Sequence, residues 1–293
     1  MQTYLDCIPC AMQQLLRTAR LVTDDEAVHL QVLISVGEGL ANIRLSDTPP
    51  EMARDLYRRL YEITGNPDPY YQLRRKSTRR ALALYPRLKA FVESAEDPLF
   101  AAASVAATGN LIDYGVLKGE ISIEEEVDVS LSMDTHWDEF PIFRDDLTSA
   151  EWILYIGDNA GETVFDRVFI ETIDKPVIYV VRGGPAINDA LLEDAVDAGL
   201  DRVAELLPSG LAAAGVIPHL CSDRLQEKFF SAPLIISKGQ GNCEALNETE
   251  APIYFLLKVK CEVMANLIQA PMGELVLRRS LNYKPVQDSA RPA

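Results

Sequence analysis

The feature that most restricts the fold of this chain is an alternation of short apolar runs with helical patterns after residue 150. The runs are rich in β-branched residues, which is typical of buried strands. Strands that alternate with helices form a mainly parallel, doubly wound sheet, so we predict an α/β fold. The runs are 152–156, 177–181, 233–236 and a weaker one near 202–206, and the helical segments are 163–173, 187–199 and 220–230.

The first predicted strand ends in Gly157-Asp158-Asn159-Ala160-Gly161, and a helical pattern follows at once. In open α/β sheets, ligands bind beyond the carboxyl ends of the strands. A helix that begins there also directs unpaired N–H groups and its positive dipole end toward an anion. We therefore predict that Asp158 and Asn159 lie where a cation and a phosphate could meet.

Two further predicted strands end in polar, glycine-containing segments. One reads Arg182-Gly-Gly-Pro-Ala-Ile-Asn188-Asp189 and the other Ser237-Lys238-Gly239-Gln240-Gly241-Asn242. An aspartate after a strand is more often a helix N-cap than a metal ligand. Three strand ends that carry oxygen ligands and a lysine are harder to explain as caps, so we expect them to converge on one site at the sheet edge.

The residue types at these strand ends suit a metal-bound phosphate. Carboxylate and amide oxygens without nearby imidazole or thiolate favour Mg²⁺ or Mn²⁺. Such a metal can bind a phosphoryl oxygen and lower the pKa of a bound water. Lys238, interpreted as a mobile charge in a turn whose N–H groups cradle an anion, would neutralise the remaining phosphate charge. The combination predicts phosphoryl transfer to water.

Other folds with functional strand ends fit the sequence less well. The P-loop pattern GxxxxGK[ST] is absent, and Gly157 and Gly161 do not make the GxGxxG of dinucleotide-binding domains. A methyltransferase would be expected to carry a glycine-rich turn where this chain has Asp158 and Asn159. The DxD start of haloacid-dehalogenase phosphatases is also missing.

The first half of the sequence is predicted to be helical. Apolar residues recur at helical spacing over 7–21, 25–40 and 72–93, and Thr48-Pro49-Pro50-Glu51 is a capping box with a first-turn proline. Pro86 is expected to kink or divide its helix. The predicted division is a helical bundle in 1–95, a helical connector in 96–149 that contributes to the site, and an α/β metal-binding catalytic domain in 150–293.

Within the predicted connector, Asp97-Pro98 has the pattern of a helix start, and the helix is expected to end at Thr108-Gly109-Asn110. A polar pair between glycines at a helix end is often only a C-cap and a turn. The acidic stretch 120–128 is interpreted as a solvated helix face or linker.

Cys7 and Cys10 form a CxxC pattern near the N-terminus. Two thiols at this spacing can supply half of a zinc site or a redox couple, but a closed zinc site needs four ligands. The other three cysteines and the three histidines are scattered along the chain. Structural packing is therefore the favoured interpretation, and a structural metal or redox role is the alternative.

Charge and hydropathy argue against several partners. A formal charge of −16 disfavours nucleic acid, whose phosphates are bound mainly by clustered Lys and Arg, and the basic residues of 74–80 are interpreted as a solvated helix face. No run of eighteen or more uncharged apolar residues and no signal-peptide pattern is present, so no membrane partner is expected. Five cysteines are an odd and sparse set that suggests no disulfide framework, which suits a reducing compartment. We therefore expect a cytoplasmic protein.

Taken together, these motifs resemble the DUF89 family, the damage-control or ARMT1-like metal-dependent phosphatases, in its prokaryotic CxxC-containing branch. The resemblance spans nearly the whole chain in the expected order. Cys243 stands where an aromatic residue is expected in many relatives. The matching residues are Cys7 and Cys10, Gly109-Asn110 with Asp113, 157–162 with Phe165-Asp166, Asn188-Asp189, and 238–242 with Glu244.

The resemblance implies a helical region joined to an α/β domain. It also implies that Asp158, Asn159 and Asp189 bind a divalent metal, which is Mn²⁺, Co²⁺, Ni²⁺ or Mg²⁺. The implied reaction is hydrolysis of small phosphorylated metabolites such as damaged or surplus sugar phosphates. Asp158, Asp189 and Lys238 are the expected catalytic residues. The residues expected around the substrate phosphate are Lys238, Gly239, Gly241, Glu162, Asn110 and Asp113.

Three functions stay open on the sequence alone. The leading one is a metal-dependent phosphomonoesterase, in which either activated water or Asp158 itself attacks phosphorus. The second is a protein that binds a phosphorylated metabolite or nucleotide through the same metal without turnover. The third is a carboxyl methyltransferase, which would need affinity for S-adenosylmethionine. The sequence predicts neither the substrate nor the oligomeric state.

Overall fold

The computed structural model of the chain describes residues 1–109 and 137–283. The predicted helices of the first half are confirmed, although Pro86 does not divide its helix. Buried Leu84 and Leu88 anchor the helix to the core on either side of this proline, and their burial offsets the lost backbone hydrogen bond. The helices are α1 (Cys7–Val22), α2 (Glu26–Leu40), α3 (Pro49–Thr64), α4 (Tyr71–Ser94), α5 (Pro98–Gly109) and α6 (Phe140–Ser149).

Helices α1 to α3 pack around an apolar core of their own, which includes Leu15, Val36 and Leu60. The predicted capping box fixes the start of α3, since the backbone N–H of Thr48 donates to Glu51 Oε2 over 2.7 Å. This fixed start matters because α3 faces the loops that follow strands β2 and β3, described below.

The second half forms a six-stranded sheet in the order β3-β2-β1-β4-β5-β6. Strands β1 to β5 are parallel and β6 runs antiparallel to β5, so the predicted mainly parallel α/β fold is confirmed. The strands are β1 (Ile153–Ile156), β2 (Val177–Val181), β3 (Glu205–Pro208), β4 (Ile235–Lys238), β5 (Ile253–Lys258) and β6 (Leu275–Arg279).

The helices of the second half differ in part from the prediction. The segment predicted as helix over 187–199 is helical only from Leu192 to Asp197, because residues 187–190 run alongside the end of β1 instead. Strands β5 and β6 were not predicted. The helices are α7 (Glu162–Thr172), α8 (Leu192–Asp197), α9 (Asp223–Ser231), α10 (Gln240–Leu246) and α11 (Glu262–Ile268).

Helices α4, α5 and α7 pack together and share one apolar core with the sheet, which includes Ala106, Phe165 and Tyr155. The interpretation of the basic cluster on α4 as a solvated face is wrong for Arg74. Its side chain is fully buried and pairs with Asp68 over 2.7 Å and with Asp194 of α8 over 2.9 Å. Helix α4 thus belongs to the packing of the sheet, while the threefold division of the chain stays a prediction.

Within the described residues, no helix is long and apolar enough to cross a membrane.

Candidate active site

The segments that follow β1 and β2 lie side by side at the carboxyl edge of the sheet. The N–H of Ala190 donates to the carbonyl of Asp158 over 2.8 Å, and the N–H of Ala160 donates to the carbonyl of Asn188 over 2.9 Å. An antiparallel bridge pairs Asn159 with Asp189. The structure therefore brings together the residues predicted as metal ligands, although thirty positions separate them in the sequence.

A buried arginine joins the two carboxylates of this site. Arg182 donates from Nε to Asp189 Oδ2 over 2.6 Å and from Nη2 to Asp158 Oδ1 over 3.4 Å. Burial raises the pKa of Asp158 well above its ordinary value, and the charges of Asp189 and Glu162 raise it further, while Arg182 opposes the shift. An added cation would relieve this concentration of negative charge.

Glu162, at the start of α7, orients the amide of Asn159. Asn159 Nδ2 donates to Glu162 Oε1 over 2.5 Å and to Asp158 Oδ2 over 3.2 Å. Glu162 is fully buried and accepts a second bond from Lys238 Nζ over 2.8 Å. The predicted contact of Glu162 with substrate phosphate stays a prediction, and in the structure this residue holds the side chain of Asn159, a predicted ligand, in place.

Lys238 is the centre of a buried polar network, not the mobile charge that we expected. Its Nζ donates to the carbonyl of Ala106 and to Asp166 Oδ1, each over 2.7 Å, as well as to Glu162. Burial disfavours the charged lysine, but Asp166 and Glu162 outweigh it and raise the pKa of Lys238. All three ammonium protons are thereby used, and a contact of Lys238 with phosphate stays a prediction.

Asp166, one turn after Glu162 on α7, completes this network. It accepts hydrogen bonds from the hydroxyls of Tyr155 on β1 and Tyr179 on β2, each over 2.7 Å. Burial raises the pKa of Asp166, against the opposing charge of Lys238. The network thus ties β1, β2, β4 and α7 together directly beneath the predicted metal ligands.

The turn after β4 differs from the predicted anion cradle. The N–H of Gly239 donates to the carbonyl of Leu256 over 3.1 Å and is thus used within the fold, and the expected phosphate contact of Gly239 stays a prediction. Gly239 has a φ of 79°, and a Cβ here would overlap the carboxylate of Asp158, so glycine is needed to make room for that side chain. Gly241 lies in the first turn of α10, and its phosphate contact stays a prediction.

Asn242 fixes the end of β4 against the end of β1. Its Nδ2 donates to the carbonyls of Gly157 over 3.0 Å and Lys238 over 2.7 Å, while its Oδ1 accepts from the N–H of Val216. The side chain is fully buried. These hydrogen bonds of Asn242 hold the ends of β1 and β4 together beside Asp158.

Ile187 has an unusual backbone conformation just before Asn188 and Asp189. Its φ of 43° lies in the left-handed region, which costs a β-branched residue about 1–3 kcal/mol. Strain of this kind persists only where the surrounding packing holds it, and Ile187 packs against the core of α1 to α3. The helical region therefore helps to fix the position of Asp189.

A cavity of about 480 Å³ lies between α3 and the loops that follow β2 and β3. Ala186 and Ile187 line it and directly precede Asn188 and Asp189. Burial chiefly, with a contribution from the charge of Asp189, raises the pKa of the lining tyrosines Tyr57 and Tyr61. The cavity thus lies beside the segment that leads to Asp189. Its walls are mainly apolar, with Arg54 and Arg58 also lining it.

The donor atoms at the sheet edge fit a divalent metal. Asp158, Asn159 and Asp189 offer two carboxylates and one amide, all buried, and oxygen ligands of this kind suit Mg²⁺ or Mn²⁺ with water in the remaining positions. Across residues 1–109 and 137–283, no group of three or more His, Cys, Asp or Glu side chains is arranged to hold a metal ion. The predicted ligand set therefore needs the amide oxygen of Asn159 as its third member.

Two predicted site residues, Asn110 and Asp113, lie outside the described residues. The preceding Gly109 ends α5 and is buried against Phe165 of α7, where an added Cβ would lie 2.9 Å from the Cβ of Phe165. The end of α5 therefore packs on the helix that carries Glu162 and Asp166.

Cys7 and Cys10 lie in the first turn of α1 with free thiols. Burial raises the pKa of both thiols, and the nearby Glu244 and Cys261 add to the shift, so the reactive thiolate form is disfavoured. The structural metal or redox role of the pair stays a prediction.

The fold and this strand-end site together define a class of α/β proteins with an oxygen-rich ligand site at the sheet edge. The sequence model described as the damage-control phosphatase ARMT1-like domain matches residues 3–276, and the chain belongs to this family.

Named relatives and a solved structure cover almost the whole chain. A damage-control phosphatase of Pyrococcus horikoshii is 33% identical over 96% of this chain and 99% of its own length. A damage-control phosphatase of Archaeoglobus fulgidus is 35% identical over 93% of this chain and 97% of its own. The crystal structure of a DUF89 family protein from P. horikoshii has a TM-score of 0.87 at 32% identity and covers 96% of this chain and 99% of that one.

Proposed function

We propose that this protein is a metal-dependent phosphatase that hydrolyses small phosphorylated metabolites, including damaged ones. The observation that carries the proposal is the buried pair of Asp158 and Asp189 beside Asn159 at the carboxyl edge of the sheet. The names of the P. horikoshii and A. fulgidus relatives support the same activity.

In this proposal, Asp158, Asn159 and Asp189 hold the divalent metal. When bound, it supplies positive charge to the phosphoryl oxygens and a water of lowered pKa. Glu162 keeps the amide of Asn159 aligned with Asp158 through the 2.5 Å bond to Nδ2. Arg182 fixes the orientation of both carboxylates.

The proposal is tested by phosphate release from metal-free protein. After chelator treatment, we expect little release from p-nitrophenyl phosphate or from a panel of sugar phosphates, and recovery on addition of Mn²⁺, Co²⁺, Ni²⁺ or Mg²⁺. Absence of release with all four metals would contradict the proposal. Metal-dependent thermal stabilisation by a sugar phosphate without release would instead support the binding protein, and affinity for S-adenosylmethionine would support the methyltransferase.

We also propose that the 480 Å³ cavity binds the organic group to which the substrate phosphate is attached. Its volume lies within the range of small-molecule sites. The cavity adjoins Ile187, two residues before Asp189, so a phosphate at the metal would place its organic group there. Tyr57 and Tyr61 are the aromatic residues among its lining.

Filling the cavity with a larger side chain should weaken substrate binding. Ala53→Trp on α3 places a large ring at the cavity wall, so we expect KM for a sugar phosphate to rise about tenfold or more, since lost pocket contacts cost roughly 1–3 kcal/mol. The exposed Ala27→Trp on α2 is the matched control, with no expected change. Steady-state kinetics measures both variants, and an unchanged KM in Ala53→Trp would place the organic group elsewhere.

A further inference from the structure

Arg182 carries a donor for which the described residues of the site provide no acceptor. The side chain is 1% exposed, and Nε and Nη2 are used by Asp189 and Asp158. Its Nη1 is buried and makes no hydrogen bond to any part of the chain that the structure describes. This is the third nitrogen of a guanidinium group whose other two nitrogens both contact predicted metal ligands.

A buried guanidinium nitrogen without an acceptor is costly, because it has lost its water without gaining another partner. If only apolar groups surrounded Nη1, no ligand could supply an acceptor and the free-energy cost would remain. Arg182 instead lies at the ligand edge of the sheet, immediately after β2, where its orientation is fixed by two carboxylates. An oxygen that enters the site could satisfy Nη1 without any movement of the side chain.

The chemistry of the donor identifies the class of ligand. Guanidinium N–H groups form their strongest bonds with anionic oxygens, and the planar group suits phosphate, which presents several such oxygens. The carboxylates nearest to Arg182 accept from Nε and Nη2, and among the described residues none accepts from Nη1, so an incoming ligand can supply the missing oxygen. A phosphoryl group bound beside Asp158 and Asp189 has oxygens to offer at this position.

We propose that Arg182 Nη1 donates to a non-bridging oxygen of the substrate phosphoryl group, which makes Arg182 a catalytic residue as well as the link between Asp158 and Asp189. This inference rests on the proposed function, since it names a further residue of that site. It assigns to Arg182 the phosphate contact that the sequence suggested for Lys238, whose Nζ protons are all used within the fold.

The test is binding of inorganic phosphate, the expected product, at saturating Mn²⁺. Arg182→Lys keeps a positive charge near the carboxylates but has one nitrogen in place of three, so the Nη1 donor is lost together with the two-point contact to Asp158 and Asp189. We expect its phosphate affinity, measured by calorimetry, to fall about tenfold or more, as for loss of a hydrogen bond to a charged group. Arg75→Lys, at a half-exposed arginine of α4, is the control and should bind phosphate as the wild type does.

A titration with Mn²⁺ separates this role from simple positioning. If Arg182 only orients Asp158 and Asp189, the lysine variant would bind metal more weakly but, once saturated, would bind phosphate with wild-type affinity. That result would overturn the inference, as would unchanged binding of both. Loss of phosphate affinity with wild-type turnover would also overturn it, because the proposed contact is made to the reacting group.

A crystal structure of the wild type with Mn²⁺ and inorganic phosphate gives an answer even if the lysine variant fails to fold. Nη1 should lie within about 3.2 Å of a phosphate oxygen. Phosphate bound at the metal without this contact would overturn the inference, and no phosphate binding at all would contradict both proposals. Phosphate held by Arg182 in a protein that releases none from any substrate would contradict only the proposed function.

Discussion

Asp158→Ala and Asp189→Ala are each expected to lower metal-dependent phosphate release by about 10³-fold. Removal of one electrostatic contact from an active site typically lowers kcat on this scale. Each substitution removes one of two carboxylates in the proposed ligand set and leaves Arg182 with one partner instead of two. Metal affinity should fall together with kcat, because the same atoms serve both.

The measurement is kcat at saturating Mn²⁺, with the metal affinity of each variant determined by calorimetry. Asp201→Ala, at an exposed aspartate, is the matched control and should keep wild-type turnover. Circular dichroism would show whether each variant is folded. Equal turnover in the wild type and in both active-site variants would remove the assignment of this sheet edge as the catalytic site.

The position of the site was predictable because one topological rule connects distant residues. Asp158 follows β1 and Lys238 ends β4, and neighbouring parallel strands must finish at the same edge. The exact position of Asp189 was not predictable, since it depends on the left-handed conformation of Ile187 and on the bridge to Asn159. The conformation of Ile187 is held by packing against the core of α1 to α3, and the bridge is held by backbone hydrogen bonds between the two segments. Local sequence patterns report neither.

Strands β5 and β6 were missed for a different reason. The residues of β5, Ile253–Lys258, do form an apolar run, but no strong helical signal follows to mark another strand–helix unit. Strand β6, Leu275–Arg279, ends in two arginines and pairs antiparallel at the edge of the sheet. The alternation rule finds parallel strands between helices and overlooks this edge pair.

The sequence contains an indication of the buried network around Lys238 that the strand-end pattern does not include. Glu162 and Asp166 lie four residues apart on α7, and Val164, Phe165 and Phe169 make that helix largely apolar. Two acidic residues on one stripe of a buried helix repel each other unless a cation lies between them. This spacing predicts a buried partner such as Lys238, but the tyrosine donors from β1 and β2 require coordinates.

Lys238→Met is expected to lower the free energy of unfolding by about 3–5 kcal/mol, the usual cost of removing one partner from a buried ion pair. Lys238, Glu162 and Asp166 are all fully buried, so the substitution leaves two carboxylates without their cation. Urea unfolding measures the loss. The exposed Lys76→Met on α4 is the control and should change stability by less than about 0.5 kcal/mol.

A second substitution distinguishes charge compensation from packing as the source of this effect. In Lys238→Met/Asp166→Asn the remaining buried negative charge is halved, and the new amide can still meet Tyr155 and Tyr179, so part of the lost stability should return. A loss below about 1 kcal/mol in the single variant would show that the carboxylates do not depend on Lys238. Wild-type phosphate affinity in folded Lys238→Met, together with the expected destabilisation, would assign this lysine to holding the site and leave the phosphate to Arg182.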